Sequence, residues 1–184
     1  METLEEKTER NLQKLGRLET ILNFARHIPL NYLRFSFLAK PLLSNQNLVE
    51  YWTRHPLYSA AAFLGLTIAG IGVYVKSLND SSEEMQRICE NPQKEENNRE
   101  MVESGMYEHM RHPCYFGQTI IALGFSLLSP GIDTAVAFAA YLGLTQKCAE
   151  VEERKNLALF SDKYKSYISR VPRWPSLSRI LKPS

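Results

Sequence analysis

The chain has 184 residues, which suits a single domain, and a formal net charge of only +2. Its mean hydropathy is −0.29, but the apolar residues are concentrated in a few runs, as in a membrane protein with polar connections. The sequence has no basic stripe with interleaved aromatic residues, which disfavours nucleic-acid binding. The three cysteines, Cys89, Cys114 and Cys148, have no metal-site spacing, and their odd number gives no disulfide framework. We therefore expect neither a metal nor a nucleic-acid partner.

Residues 1–50 form a first unit, an amphipathic and interfacial N-terminal segment. Within it, residues 2–26 are rich in charge and carry one apolar stripe at helical spacing. The stripe consists of Leu12, Leu15, Leu18, Leu22 and Ala25. This pattern favours a soluble helix docked on its neighbours over a helix on the membrane surface. Residues 28–43 are apolar but contain Arg34 and Lys40, which indicates an interfacial helix or a short half-span.

Residues 51–184 form a second unit that begins with the clearest spanning helix. From Pro56 to Val75 the chain has no charge for 20 residues, and a helix of that length crosses a hydrocarbon core of roughly 30 Å. Three small residues in this run would let another helix approach closely: Gly65, Gly70 and Gly72. Residues 77–103 follow as a polar connection, in which residues 82–89 suit a short surface helix.

The passage at 104–117 is polar and aromatic and leads into a second apolar run. Pro113 suits the first position of a helix, because its missing N–H would have no intrahelical partner there. His112 is then the N-cap, and Gly105 is free to adopt a conformation closed to other residues. The free N–H groups of the first turn, together with Arg111, favour a carboxylate or a phosphate.

A helical hairpin follows, with apolar runs at 113–128 and 132–145 that are close to the minimum length for crossing a bilayer. A tight turn at Ser129-Pro130-Gly131 joins them. Because the chain returns, Arg111 and His112 end on the same side as residues 147–153.

Residues 146–170 predict an amphipathic helix that leaves the membrane. Its apolar face carries Leu157, Phe160, Tyr164, Tyr167 and Ile168. The sequence thus predicts an all-α fold, a polytopic membrane helical bundle. It would have one full-length span, a short transmembrane hairpin, and amphipathic N-terminal and C-terminal helices.

The passage before the hairpin also carries a resemblance to a known group of enzymes. The residues are Gly105-x-Tyr107-x-x-x-Arg111-His112-Pro113-x-Tyr115-x-Gly117, with Glu152-Glu153 and Tyr164-x-x-Tyr167-x-x-Arg170-Val171-Pro172 further on. This pattern resembles the signature of the isoprenylcysteine carboxyl methyltransferase and phospholipid methyltransferase superfamily of integral membrane enzymes. The resemblance covers roughly residues 60–175. Two departures stand out, since Met106 replaces a usual proline and Cys148 replaces a usual arginine.

The resemblance implies methyl transfer from S-adenosylmethionine to a lipid-borne acceptor, either a prenylcysteine carboxylate or a phospholipid amine. On this reading Arg111, His112 and the N–H groups after Pro113 hold the carboxylate of the donor. Glu152 or Glu153 would bind its ammonium or its ribose. The structural alternatives are that Arg111 and His112 anchor lipid headgroups, and that the two glutamates form a solvated helix face.

Four further residues receive roles from the same resemblance. Tyr107 and Tyr115 would line the sulfonium side of the donor, because aromatic faces favour a cation. Arg170 or Arg173 would close the pocket or orient an anionic acceptor. Partners are then membrane lipids or a lipidated substrate, in the endoplasmic reticulum or a bacterial inner membrane.

A second reading remains open at this point. The chain could be a methyltransferase-like, inactive accessory subunit of a larger membrane assembly, for example a mitochondrial one. The Cys148 departure and the short chain favour this alternative. Residues 1–50 would then contact partner chains.

Overall fold

The computed structural model of the chain describes residues 4–43, 57–90 and 101–175. This part of the chain is entirely helical and contains no strand, so the predicted all-α class is confirmed. The helices are α1 (Leu4–Leu43), α2 (Leu57–Glu90), α3 (Pro113–Leu128) and α4 (Ile132–Arg170), with a short 3-10 helix at Gly105–Glu108. The predicted start of the first span at Pro56 lies outside the described residues.

The four helices alternate in direction, and two ion pairs show how α1 lies along α4. Lys155 of α4 contacts Glu19, in the first half of α1, at 3.0 Å, and Lys40, in the last turn of α1, contacts Asp133 at the start of α4 at 2.9 Å. We call the end that contains Arg111 the mouth, and the opposite end, with the α3–α4 turn, the turn end. α1 therefore runs antiparallel to α4, along the whole length of the hairpin.

Helices α2 and α3 pack backbone against backbone through two glycines. A Cβ on Gly70 would lie 2.7 Å from the carbonyl oxygen of Gly117, and a Cβ on Gly117 would lie 2.8 Å from that of Gly70. The close approach predicted from the glycines is confirmed at Gly70. At Gly65 and Gly72 a Cβ would meet no heavy atom of the described chain within 4 Å, so those two glycines do not provide it.

Three of the predicted segment boundaries are wrong. The N-terminal segments at 2–26 and 28–43 form one continuous helix, and α2 continues through the predicted polar connection to Glu90. The predictions placed ends where apolar residues give way to charged ones, but Glu, Lys and Arg are good helix formers. The apolar and amphipathic parts of α4 also form one element, which is kinked at Ser161.

One stretch of the described helices, Ala60–Ser82 in α2, is long and apolar enough to cross a membrane, and α3 is a shorter apolar helix. Only 11% of the α2 stretch is buried inside the protein. Its large apolar side chains form a stripe on the outside of the bundle: Leu64, Ile68, Ile71, Val75 and Leu78.

Candidate functional site at the mouth of the bundle

The turn before α3 is fixed by a glycine and an aspartate. Gly105 has a φ of 62°, in the left-handed region that glycine adopts without steric cost, as the sequence predicted. Asp80 of α2 accepts a hydrogen bond from the N–H of Met106 at 2.8 Å. A Cβ on Gly105 would lie 2.5 Å from the carboxyl group of Asp80, so a side chain does not fit here.

His112 occupies the predicted N-cap of α3, with Pro113 at the first helical position. Its side chain makes no capping hydrogen bond and instead turns into the protein, where the residue is only 4% exposed. There its Nε2 donates to Oε1 of Glu153 at 3.1 Å. The ring also stacks on Tyr115 and lies 5.9 Å from the ring of Trp174. The imidazole is thus held between α3 and α4.

Glu153 collects three cationic or donor groups. Besides His112, its carboxylate contacts Arg111 Nη2 at 3.2 Å and accepts a hydrogen bond from Arg173 Nε at 2.9 Å. Burial by itself raises the pKa of Glu153, but the hydrogen bonds from His112 and Arg173 and the charge of Arg111 outweigh it. The pKa is thereby lowered to about 2. Glu153 is consequently ionised at neutral pH. Through these contacts it links the two residues before α3, Arg111 and His112, to Arg173 after α4.

Two adjoining cavities open beside this cluster. The first has a volume of about 300 Å³ and the second of about 230 Å³. Tyr107, Arg111 and Glu152 line both cavities, so the two volumes meet at these side chains. Glu153 is not among the lining residues of either. Of the two adjacent acids, Glu152 lines the cavities, whereas Glu153 binds Arg111, His112 and Arg173.

The two cavities differ in character. The first has three aromatic residues of α4 in its wall, Phe160, Tyr164 and Tyr167, next to polar residues such as Ser81 and Asn156. The second also contains His112, Pro113 and Tyr115 from the start of α3, and Glu19 of α1. Of the nine predicted site residues, six therefore line a cavity. They are Tyr107, Arg111, His112, Pro113, Tyr115 and Glu152.

The phenols around the first cavity are held in their protonated form. Burial, followed by the neighbouring Cys114 thiol, raises the pKa of Tyr107. Burial also raises the pKa of Tyr164 and of Tyr167. The hydroxyl of Tyr167 donates to the carbonyl oxygen of Tyr107 at 2.7 Å, which fixes the aromatic wall against the 3-10 helix.

The two arginines predicted to close the pocket lie outside both cavity walls. Arg170 pairs with Glu103 at 2.8 Å, and its side chain is 60% exposed. Arg173 forms a fork with the carboxylate of Glu153. The N–H of Arg111 also donates to the carbonyl oxygen of Pro172 at 3.0 Å. The chain after α4 is therefore bound to Arg111 and to Glu153 through Pro172 and Arg173, and it does not line the cavities.

The sequence analysis missed Arg26 of α1. This residue is 4% exposed, and its guanidinium carbon lies 4.5 Å from the centroid of the Tyr115 ring. A sequence signal existed, because Arg26 falls four residues from both Leu22 and Leu30, on a face that continues through the buried Leu33. A cation on the apolar stripe of a helix requires a partner inside the protein.

The fold and the mouth define a small helical protein with one candidate membrane span and a paired cavity at one end of its bundle. Residues 86–157 match the sequence model of the isoprenylcysteine carboxyl methyltransferase (ICMT) family. This match confirms the resemblance for that segment, and it supports a membrane methyltransferase. The six cavity residues predicted from the sequence lie inside the matched segment, whereas Glu19 and Arg26 lie outside it. Comparisons with curated proteins and with solved structures give no match.

Proposed function

We propose that the chain transfers a methyl group from S-adenosylmethionine to a lipid-borne acceptor at the membrane interface. The observation that carries this proposal is the paired cavity at the mouth, in which Tyr107, Arg111 and Glu152 line both a volume beside the aromatic residues of α4 and a volume at the start of α3. Its first volume, about 300 Å³, lies at the lower end of the range for small-molecule sites.

Arg111 suits the carboxylate of the donor. Its side chain is 9% exposed, and one nitrogen contacts Glu153. Its Nε and Nη1 are buried without a hydrogen-bond partner among the residues that the structure describes. A buried donor without a partner is costly, and a carboxylate is a strong acceptor for a guanidinium N–H. A bound carboxylate would therefore give Arg111 a partner that these nitrogens lack in the described part of the chain.

Glu152 and Tyr107 suit the rest of the donor. The Glu152 side chain is 35% exposed and can accept from an ammonium group or from ribose hydroxyls. Tyr107, whose hydroxyl group keeps its proton, offers an aromatic face to a sulfonium. The bound donor supplies a methyl group on a positively charged sulfur that is already a good leaving group. The chain has only to align the two reactants, for which no nucleophilic side chain is needed.

The acceptor side of the proposal follows from the outer surface of the bundle. α1 exposes large apolar side chains at helical spacing: Leu18, Ile21, Phe24, Ile28, Tyr32 and Phe35. α4 likewise exposes Ile132, Val136 and Leu142 next to the turn end. With the stripe on α2, large apolar side chains are exposed in rows on three helices rather than singly. We infer a polytopic bundle in which α1 also contacts lipid, so that an acceptor in the bilayer reaches the mouth from the side.

Calorimetry on the purified full chain in detergent tests the proposal, with S-adenosylhomocysteine as the probe. We expect the wild type to bind, and Arg111→Gln and Glu152→Gln each to weaken binding at least tenfold. Lys147→Gln is the matched control, because this lysine lies on the same helix as Glu152 and its side chain is 64% exposed. A wild type that does not bind the probe, or variants that bind it like the wild type, would overturn the proposal.

A further inference from the structure

A second buried guanidinium lies at the mouth and is not used by the proposed donor site. Arg26 of α1 is 4% exposed, and its Nε and Nη1 have no hydrogen-bond partner within residues 4–43, 57–90 and 101–175. None of the carboxylates in this described part forms an ion pair with it. Burial of a cation without a partner that neutralises it is unfavourable. Packing on Tyr115 replaces only a small part of its lost hydration.

The surroundings of Arg26 do not supply the missing acceptor. Its ring partner, Tyr115, forms the wall of the second cavity. Behind it lies Cys148 of α4, which is fully buried. Burial raises the pKa of the Cys148 thiol, while the nearby charge of Arg26 acts in the opposite direction. An uncharged thiol and an aromatic face leave Nε and Nη1 of Arg26 without a hydrogen-bond acceptor in the described part of the chain.

We propose that Arg26 binds an oxyanion, a carboxylate or a phosphate, of a molecule held at the mouth, and that α1 is therefore part of the binding site. Arg26 packs on the ring of Tyr115, and Tyr115 lines the second cavity together with Arg111, so the Arg26 guanidinium lies one ring away from that cavity. Glu19, which also lines this cavity, is paired with Lys155 at 3.0 Å and does not compete for Arg26. A guanidinium fork binds an oxyanion through two parallel hydrogen bonds.

Two sources can supply the oxyanion, and they are separable. The first source is the methyl donor, and this assignment rests on the proposed function. Its pair of probes is S-adenosylhomocysteine and 5′-methylthioadenosine, of which the second lacks the carboxylate. For a lipid, the pair is phosphatidic acid and phosphatidylcholine, each added to the full chain in detergent. Calorimetry measures the first pair, and the shift of the thermal unfolding midpoint measures the second.

The variants are Arg26→Gln and, as the control, Arg17→Gln, an exposed arginine on the same helix. If the oxyanion belongs to the donor, Arg26→Gln weakens S-adenosylhomocysteine at least tenfold and leaves methylthioadenosine unchanged. If it belongs to a lipid, Arg26→Gln abolishes the midpoint shift that phosphatidic acid produces in the wild type. Arg17→Gln behaves like the wild type in both assays.

Three outcomes overturn the inference. The first is an Arg26→Gln variant that matches the wild type in both assays. The second is a variant that weakens both adenosine probes equally, which would show a purely structural role. The third is a wild type that neither binds the first probe nor responds to phosphatidic acid. Failure of the proposed function alone has a different signature: no adenosine probe binds, but the lipid shift is present and depends on Arg26.

Discussion

Nε2 of His112 donates to Oε1 of Glu153 at 3.1 Å, and this hydrogen bond joins the residue before α3 to the middle of α4. The two residues are 41 positions apart in the chain. Both are buried, at 4% and 7% exposure, so the hydrogen bond is shielded from water. This contact between two buried side chains holds the start of α3 against α4 at the mouth, and His112 also lines the second cavity.

Replacing His112 should destabilise the bundle. In His112→Asn the carboxylate of Glu153 loses a buried donor, and the aromatic contacts with Tyr115 and Trp174 are lost. We expect a loss of about 1–3 kcal/mol in the free energy of unfolding. Thermal unfolding followed by circular dichroism measures it. His109→Asn is the control, because His109 is exposed, and it should change the midpoint little. Equal midpoints for the two variants would contradict this role of His112.

Stability should fall at acidic pH because of Glu153. Its pKa is about 2 in the folded chain and 4.5 in the ordinary case, so the stabilisation is complete above about pH 5 and is lost as the pH falls towards 2. The full effect is about 3 kcal/mol. Unfolding midpoints between pH 7 and pH 3 test it, with Glu153→Gln as the comparison. The variant should be less stable at pH 7 and should lose less stability on acidification. Parallel pH profiles would show that another group is responsible.

The glycines of α2 should respond oppositely to alanine. In Gly70→Ala the new Cβ would lie 2.6 Å from Cγ1 of Ile121 and 2.7 Å from the backbone oxygen of Gly117, so the helices must separate. We expect a destabilisation of about 1–3 kcal/mol. Gly65→Ala faces open space and should stabilise α2 by up to about 1 kcal/mol. Midpoints measured in one detergent compare the two, and similar values would argue against this helix contact.

Gly105→Ala should disturb the turn that carries Tyr107. Alanine pays about 1–2 kcal/mol in the left-handed region, and its Cβ would also displace Asp80. Both the unfolding midpoint and the affinity for S-adenosylhomocysteine should fall. Gly143→Ala provides the control, since its Cβ would meet nothing within 4 Å in the described chain. A Gly105→Ala variant with unchanged midpoint and affinity would show that the turn tolerates a side chain.

The local backbone features of the mouth were predictable from the sequence, but the side-chain contacts between its helices were not. Pro113 and Gly105 have conformations that their own chemistry dictates, so the start of α3 and the turn before it followed from sequence. Glu152 and Glu153 are neighbours that differ by 100° around α4, and only the rotation of that helix decides which acid faces the cavities. The periodicity of α1 could have shown that Arg26 is buried, but not that its guanidinium lies over the ring of Tyr115 on α3. That is a contact between distant segments, which no local pattern encodes.

The position of α1 also has a consequence for how the molecule is made. Glu19 and Lys155 are separated by 136 residues, so α1 pairs with a helix that is synthesised much later. Until α4 has been made, the face of α1 that carries Arg26 can be covered only by side chains of α3 such as Tyr115 and Ala122. The mouth thus assembles only once α4 exists, and a chain interrupted before α4 carries the whole passage at 104–117 without the Glu152 side of its cavities.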